Sequence, residues 1–169
     1  MVPVPGAVAI GTSIHVAPAG SMTSRFDLRK QVTGYFAADP TTALYETMAR
    51  RPASTMSRAA LSIRNLTTFK TTRPIRLFDL RPHAHDWPAL QSPRYAPTWQ
   101  LADDIRKTGG FDGIVYWSAQ RHGADCYELS GASMQQLTVT ATAPLVGPAN
   151  TLHRAVVRAL VGAEIALVP

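Results

Sequence analysis

The chain has 169 residues, 46% of them apolar and only 17% charged, with 17 Lys and Arg against 11 Asp and Glu for a formal net charge of +6. That length supports one hydrophobic core and is short for two, and the apolar share excludes a disordered chain. The cations are scattered (Arg25, Arg29, Arg58, Arg64, Arg73, Arg76, Arg94, Arg106, Arg121 and Arg154), so the basic balance suits a phosphate-bearing ligand or an acidic protein partner as well as nucleic acid. One cysteine, Cys126, excludes an internal disulfide and points to a reducing, cytoplasmic setting.

The opening MVPVPGAVAIG has no basic n-region, so no signal peptide is expected. Residues 7–17 read as a strand, and Pro18 to Lys30 as a loop carrying Arg25. Gly34 to Ala38 is a short strand whose alternation puts Tyr35 and Ala37 on one face and Phe36 on the other. Asp39 takes the N-cap and Pro40 the first helical position, where its missing N–H costs nothing. Thr41 to Arg51 continues as helix, with Leu44 and Met48 as an i, i+4 apolar stripe, Arg50 and Arg51 in the last turn, and Pro52 as the stop. Glu46, mid-helix beside that stripe, is out of character.

Arg58 to Lys70 leans toward strand, and Ile75 to Leu80 is a firmer strand. Pro82 to Pro97 holds four prolines and two histidines and reads as a long irregular segment, of the kind that is often functional. Thr98 to Lys107 is a helix ended by Gly109-Gly110. Gly113 to Ser118 is the clearest strand, with Ile114, Tyr116 and Ser118 on one face and Val115 and Trp117 on the other. Ala124 to Leu129 and Met134 to Ala141 read as further strands, and Asn150 as the cap of a final helix reaching about residue 166. The apolar run from Thr151 to Val168 is broken by His153, Arg154, Arg158 and Glu164, so it is a surface-packed helix and not a membrane span. Strands and helices do not alternate strictly, so the fold class is α+β, as a single domain.

Taken one at a time, the polar residues have ordinary readings. Glu46 stands four residues before Arg50, the favourable order for a helix ion pair. Tyr35 suits a strand core, Arg25 a loop cation and Ser118 a strand end. His83 and His85 form an H-x-H pair without a third ligand at zinc-like spacing, so they read as solvated loop histidines and no metal is expected. Asp103 and Asp104 are adjacent on a helix, point apart and cannot act as a catalytic pair. Cys126 has no activating neighbour in sequence and reads as a buried thiol. Gly-rich phosphate loops of the GxGxxG and Walker A kinds are absent.

Together these residues resemble the RES domain, a family named for an arginine, a glutamate and a serine that supplies toxins of bacterial toxin–antitoxin pairs. The string SRF…GYFAADPTTALYE is similar to the family's first block, with Arg25, Tyr35 and Ala43-Leu44-Tyr45-Glu46 at its positions. The strings LFDLR and YAPTWQLADDIRKTGGFDGIVYWSAQR are similar to the second block, whose serine is Ser118. The resemblance spans roughly Ile14 to Val139. It departs from the family at Ile14-His15-Val16, where many members carry a strand arginine. It departs again at Ser118-Ala119-Gln120-Arg121, where the family's Ser-Ala-Arg places the arginine one residue earlier.

The resemblance implies a fold similar to that of ADP-ribosyltransferases and an enzyme that binds NAD and breaks its nicotinamide–ribose bond. Hydrolysis or phosphorolysis would deplete NAD; transfer of ADP-ribose to a protein is the alternative. A basic nucleic-acid-binding protein is a further alternative, which the scattered cations and the lack of aromatic–basic interleaving disfavour. On the family pattern Glu46 stabilises the developing ribosyl cation, Arg25 grips a phosphate or ribose, and Ser118 hydrogen-bonds the ligand or fixes the Glu46 carboxylate. Tyr35 stacks on the nicotinamide, Tyr116 lies beside Ser118 on the same strand face, and His15 adds a supplementary contact. The implied partner is an Xre-like antitoxin with a helix-turn-helix region; neither a membrane nor direct nucleic-acid contact is expected.

Overall fold

The computed structural model describes residues 7–11, 16–49, 53–90, 92 and 94–169. Strands β1 (Ala7–Gly11) and β2 (Val16–Ala17) both pair with β3 (Thr33–Ala37). Helix α1 (Pro40–Thr47) follows, then β4 (Thr55–Ser57), α2 (Arg58–Ser62), β5 (Asn65–Thr71) and β6 (Leu77–Asp79). Two 3-10 turns, Arg81–His83 and Pro88–Leu90, lead to α3 (Ala96–Thr108). Then come β7 (Gly113–Trp117), β8 (Asp125–Ser130), α4 (Gly131–Met134), β9 (Leu137–Pro144), α5 (Arg154–Gly162) and β10 (Ala166–Val168).

The main sheet runs β6-β7-β8-β3-β1-β5-β9, with β2 also on β3. Its β6–β7 pair is parallel and the other pairs are antiparallel. Period-two alternation divides the core between the two sheet faces. Ala37, Ile114, Tyr116 and Cys126 pack with Leu44 of α1, Ala102 and Ile105 of α3, and Val156 and Ala159 of α5. Phe36, Phe69, Val115, Tyr127 and Leu129 form the opposite layer. Tyr35 and Ala37 thus face away from Phe36, and Ile114 and Tyr116 away from Val115, as the sequence pattern implies. Each fully buried side chain of the Leu44 or Ile114 type contributes about 1.5–3 kcal/mol.

At the end of β3 the expected cap is present: Asp39 is extended, and its side chain accepts hydrogen bonds from the Thr41 and Thr42 N–H groups. Helix α1 ends at Thr47, with Met48 as its C-cap; Arg50, Arg51 and Pro52 lie outside the described residues. Gly109, at φ +71°, closes α3 in a conformation that L side chains seldom adopt, as its Gly-Gly signal implies. Gly113 lets β7 approach β8: a Cβ there would stand 2.2 Å from the Glu128 carbonyl oxygen.

Several expectations need correction. The stretch read as strand from Arg58 is first a helical turn, because Ser57 caps it through the Ala60 N–H; β5 begins only at Asn65. Pro82 to Pro97 is partly ordered into 3-10 turns, and α3 starts at Ala96 with Pro97 in its first turn. Gly131–Met134 is helical, so the last sheet strand runs from Leu137 to Pro144. The final helix is capped by His153, whose Nδ1 accepts from the Ala155 N–H, and not by Asn150; it stops at Gly162. Residues Ala166–Val168 then pair in parallel with β4 as a separate two-stranded sheet.

Candidate active site

Glu46 projects from α1, half-buried, toward the C-terminal end of β7. Its Oε1 accepts a hydrogen bond of 2.5 Å from the Ser118 hydroxyl. Ser118, buried at 4% exposure, sits where β7 gives way to the turn before β8. That turn folds over it: the Arg121 N–H donates to Ser118 Oγ at 2.9 Å and the Gln120 N–H at 3.2 Å, and the Gln120 N–H also reaches Glu46 Oε1 at 3.4 Å. The serine therefore joins two elements 72 residues apart and holds the carboxylate in one place.

Arg121 clips the same turn to the start of α1. Its guanidinium donates to Asp39 Oδ2 and to Thr42 Oγ1, both at 2.8 Å. Burial works against the Asp39 carboxylate, but the Thr42 hydroxyl and N–H, with Arg121, hold it below the usual range. The residue displaced from the family's arginine position thus secures the N-cap of the helix that carries Glu46.

Arg25 comes from the loop before β3. The loop is organised around Asp27, which is fully buried and accepts from Ser21 Oγ, the Thr23 and Ser24 N–H groups, and Tyr35 Oη. Tyr35 Oη in turn accepts from the Phe26 N–H at 2.9 Å. Two α3 side chains fix the loop from outside: Thr98 Oγ1 donates to the Arg25 carbonyl, and Trp99 Nε1 to the Ser24 carbonyl at 2.8 Å. Phe26 packs edge-on against Tyr116, with ring centroids 4.8 Å apart. The Arg25 guanidinium carbon lies 5.9 Å from the centre of the Tyr116 ring, and its buried Nε has no hydrogen-bond partner among the described residues. Tyr116 connects the two halves of the site. Burial pushes its phenol well up, Cys126 and Glu46 add to that, and Arg25 opposes it. Burial and the Asp27 hydrogen bond likewise keep Tyr35 protonated.

Ser118 also borders a cleft of about 300 Å³, lined with it by Ala84, His85, Trp117, Ala119, Gln120 and His122. His85 is exposed, as a loop histidine should be, yet it forms part of the wall. Its segment is anchored by Arg81, which bonds Asp79 at 2.7 Å and Asp125 at 2.9 Å. Cys126 is buried, and burial raises its thiol, as expected for a structural cysteine. Among the described residues no group of three or more His, Cys, Asp or Glu side chains could hold a metal ion, and no helix is long and apolar enough to cross a membrane.

The structure therefore brings together Glu46, Ser118, Tyr116 and Arg25, and places Tyr35 behind Arg25 with its hydroxyl engaged by the loop. His15 lies outside the described residues. Sequence reasoning missed Asp27 as the loop's organiser and His85, Trp117 and His122 as cleft walls. Asp27 directly follows Arg25-Phe26, a cue to a polar hub; the three cleft residues meet only through the fold.

A model of the RES domain family matches residues 7–146. The chain belongs to the RES domain family. A chain in the crystal structure of the M. tuberculosis MbcT-MbcA toxin-antitoxin complex has a similar fold, with a TM-score of 0.54 and 17% sequence identity over 81% of each chain. That likeness bears out the α+β fold expected of a RES domain. No curated protein matches the sequence.

Proposed function

We propose that this RES domain protein is the toxin of a toxin–antitoxin pair, and that it binds NAD and breaks the bond between nicotinamide and ribose. The observation that carries this reading is the short hydrogen bond between Ser118 and Glu46, which fixes a carboxylate beside an open cleft, with Arg25 across Tyr116. The arrangement fits NAD: the unpartnered buried Nε of Arg25 offers a donor for a phosphate or ribose oxygen, and the carboxylate offers negative charge for a sugar cation.

In the reaction the C1′–N bond breaks and its electron pair goes to the ring nitrogen. Nicotinamide leaves neutral, so no general acid is required. The oxocarbenium-like ribose left behind is stabilised by Glu46. Water, phosphate or a protein side chain then supplies an oxygen or other nucleophile to C1′; when water attacks, the proton released can pass to Glu46. Ser118 holds the carboxylate throughout, so its stabilising charge needs no reorganisation as the bond breaks. The MbcT-MbcA complex supports a protein antitoxin as partner, and the family resemblance supports an Xre-like one that binds DNA on its own account.

The test is incubation of purified protein with NAD, with and without phosphate, followed by product identification. Free ADP-ribose, its phosphorylated product or protein-bound ADP-ribose distinguishes the three acceptors. Glu46→Gln keeps the size and one hydrogen-bonding oxygen, so it should bind NAD but release nicotinamide on the order of 10²–10³ more slowly, and cells should tolerate it. Nicotinamide release by Glu46→Gln at the wild-type rate would refute the mechanism.

A further inference from the structure

We propose that Arg106 and Glu128 are positioning residues for Arg25: their buried ion pair sets the place of α3 on the sheet, and α3 in turn sets the Arg25 loop. This deepens the NAD reading above and rests on it. Glu128 stands on β8 and is fully buried, so it acts on a ligand only through other groups. Its Oε2 accepts a hydrogen bond of 2.5 Å from Arg106 Nη2, and the Arg106 side chain is almost as deep. Arg106 lies in the last turn of α3.

The earlier turns of the same helix hold the loop. Thr98 Oγ1 donates to the Arg25 carbonyl and Trp99 Nε1 to the Ser24 carbonyl. These carbonyls belong to the peptide groups on either side of the Arg25 Cα, so α3 fixes the backbone from which the guanidinium springs. Asp103, one turn further on, faces Arg29 at 3.5 Å. Trp99 and Arg106 are about 10 Å apart along the axis, at about 1.5 Å per residue. A helix this short moves as one body, so a slip at Arg106 is a slip at Thr98 and Trp99. The pair also stands beside the loop's second anchor. Glu128 is the cross-strand partner of Tyr35, whose hydroxyl holds the Phe26 N–H and Asp27.

Two features set the pair apart from ordinary core packing. The apolar hold of α3 is thin: its buried residues are Thr98, Ala102 and Ile105, and Leu101 is only partly covered. Such a face fixes depth more firmly than position along the sheet, which a directional bond between ions supplies. The pair is also a poor stabiliser. It closes through a single Nη2–Oε2 contact, and Glu128 Oε1 and Arg106 Nε are buried without a hydrogen-bond partner among the described residues. Apolar residues of similar volume often serve stability as well as a buried ion pair does, and fixing register is the best-attested use of such groups.

The test removes both ions together, so that neither is left buried alone. Arg106→Met with Glu128→Leu should melt at or above the wild-type temperature. Calorimetry in a Glu46→Gln background should nevertheless show NAD binding about tenfold weaker, as when one charge-assisted hydrogen bond is misaligned. With Glu46 restored, KM should rise while kcat stays within about threefold, since the Ser118–Glu46 bond is untouched. Arg25→Ala closes a cycle. It should weaken NAD binding about tenfold or more with the ion pair present and by less than about twofold without it, because the pair acts through Arg25. Arg106→Lys, which keeps the charge but loses the fork, enters the same cycle if the double variant does not fold. Unchanged NAD affinity in the double variant, or an undiminished Arg25→Ala effect there, overturns the positioning role alone. Absence of NAD binding in both Glu46→Gln and the wild type overturns the functional reading and the positioning role with it.

Discussion

Replacing Ser118 by Ala removes the hydroxyl that ties the Glu46 carboxylate of α1 to the β7–β8 turn. Its Oγ donates to a carboxylate at 2.5 Å and accepts two backbone N–H groups at 2.9 and 3.2 Å. A hydrogen bond to a charged group contributes about 1.5–3 kcal/mol and a neutral one about 0.5–1.5 kcal/mol. Water in the adjoining cleft can re-solvate Glu46, and the Gln120 N–H keeps its longer contact to that carboxylate, so the net loss should be about 2–3 kcal/mol. At about 2–4 °C per kcal/mol for a chain of this size, the melting temperature should fall by about 4–12 °C. The kinetic effect should be larger than the thermal one suggests. Without its anchor the Glu46 carboxylate samples other rotamers, and a displacement near 1 Å costs on the order of 10² in rate. Initial rates of nicotinamide release and thermal melts with NAD affinity on the same samples provide the check. The expected pattern is a large fall in kcat with a small change in affinity. Wild-type turnover together with an unchanged melting temperature would refute the anchoring role.

Three further outcomes follow from the geometry. Arg25→Lys should weaken NAD binding with melting unchanged, because an ammonium cannot reproduce the guanidinium fork; wild-type affinity by calorimetry would return Arg25 to an ordinary loop cation. Asp27→Ala strips a fully buried acceptor from Ser21, Thr23, Ser24 and Tyr35 and should cost about 2–4 kcal/mol in denaturant unfolding, with Arg25-dependent binding lost as well. Burial raises the Glu128 carboxyl to about 7 from 4.5, against the opposing pull of Arg106. The unfolded chain gives up that proton first, so between those values the folded state binds more protons and stability falls as pH rises. Glu128→Gln should flatten this part of the pH–stability profile; denaturation profiles parallel to wild type would refute it.

Much of this site was legible because its signals are local. The Asp39-Pro40 pair announces a helix start, and the alternation in Tyr35-Phe36-Ala37 and in Ile114 to Ser118 assigns sheet faces without any tertiary knowledge. Glu46 stood out as a lone carboxylate beside an apolar stripe, and its partner lies across the fold. What was hidden depends on pairing at a distance. Ala166–Val168 is too short to declare itself and is strand only because β4 lies beside it. The helical turn at Arg58–Ser62 was masked by β-leaning residues that follow, although Ser57 supplies a cap. His85, Trp117 and His122 come from three segments with no shared motif, and only the ends of β6 and β7 bring them together. The Arg121–Ser118 contact uses a backbone N–H, which no side-chain pattern reports.

The packing of α1 against α5 sets an order of events during synthesis. Every residue assigned to the chemistry precedes Arg154, yet Leu44, in the helix that carries Glu46, shares a core with Val156 and Ala159 near the chain's end. A nascent chain that already holds Arg25, Glu46 and Ser118 still lacks the surface on which its glutamate-bearing helix rests. With translation proceeding at about 5–20 residues per second and distant contacts forming only once both sides exist, the helix that carries Glu46 gains this support only after α5 has been made. Truncation before α5 should therefore unseat the helix that carries Glu46 and silence the proposed activity without touching the site's own residues.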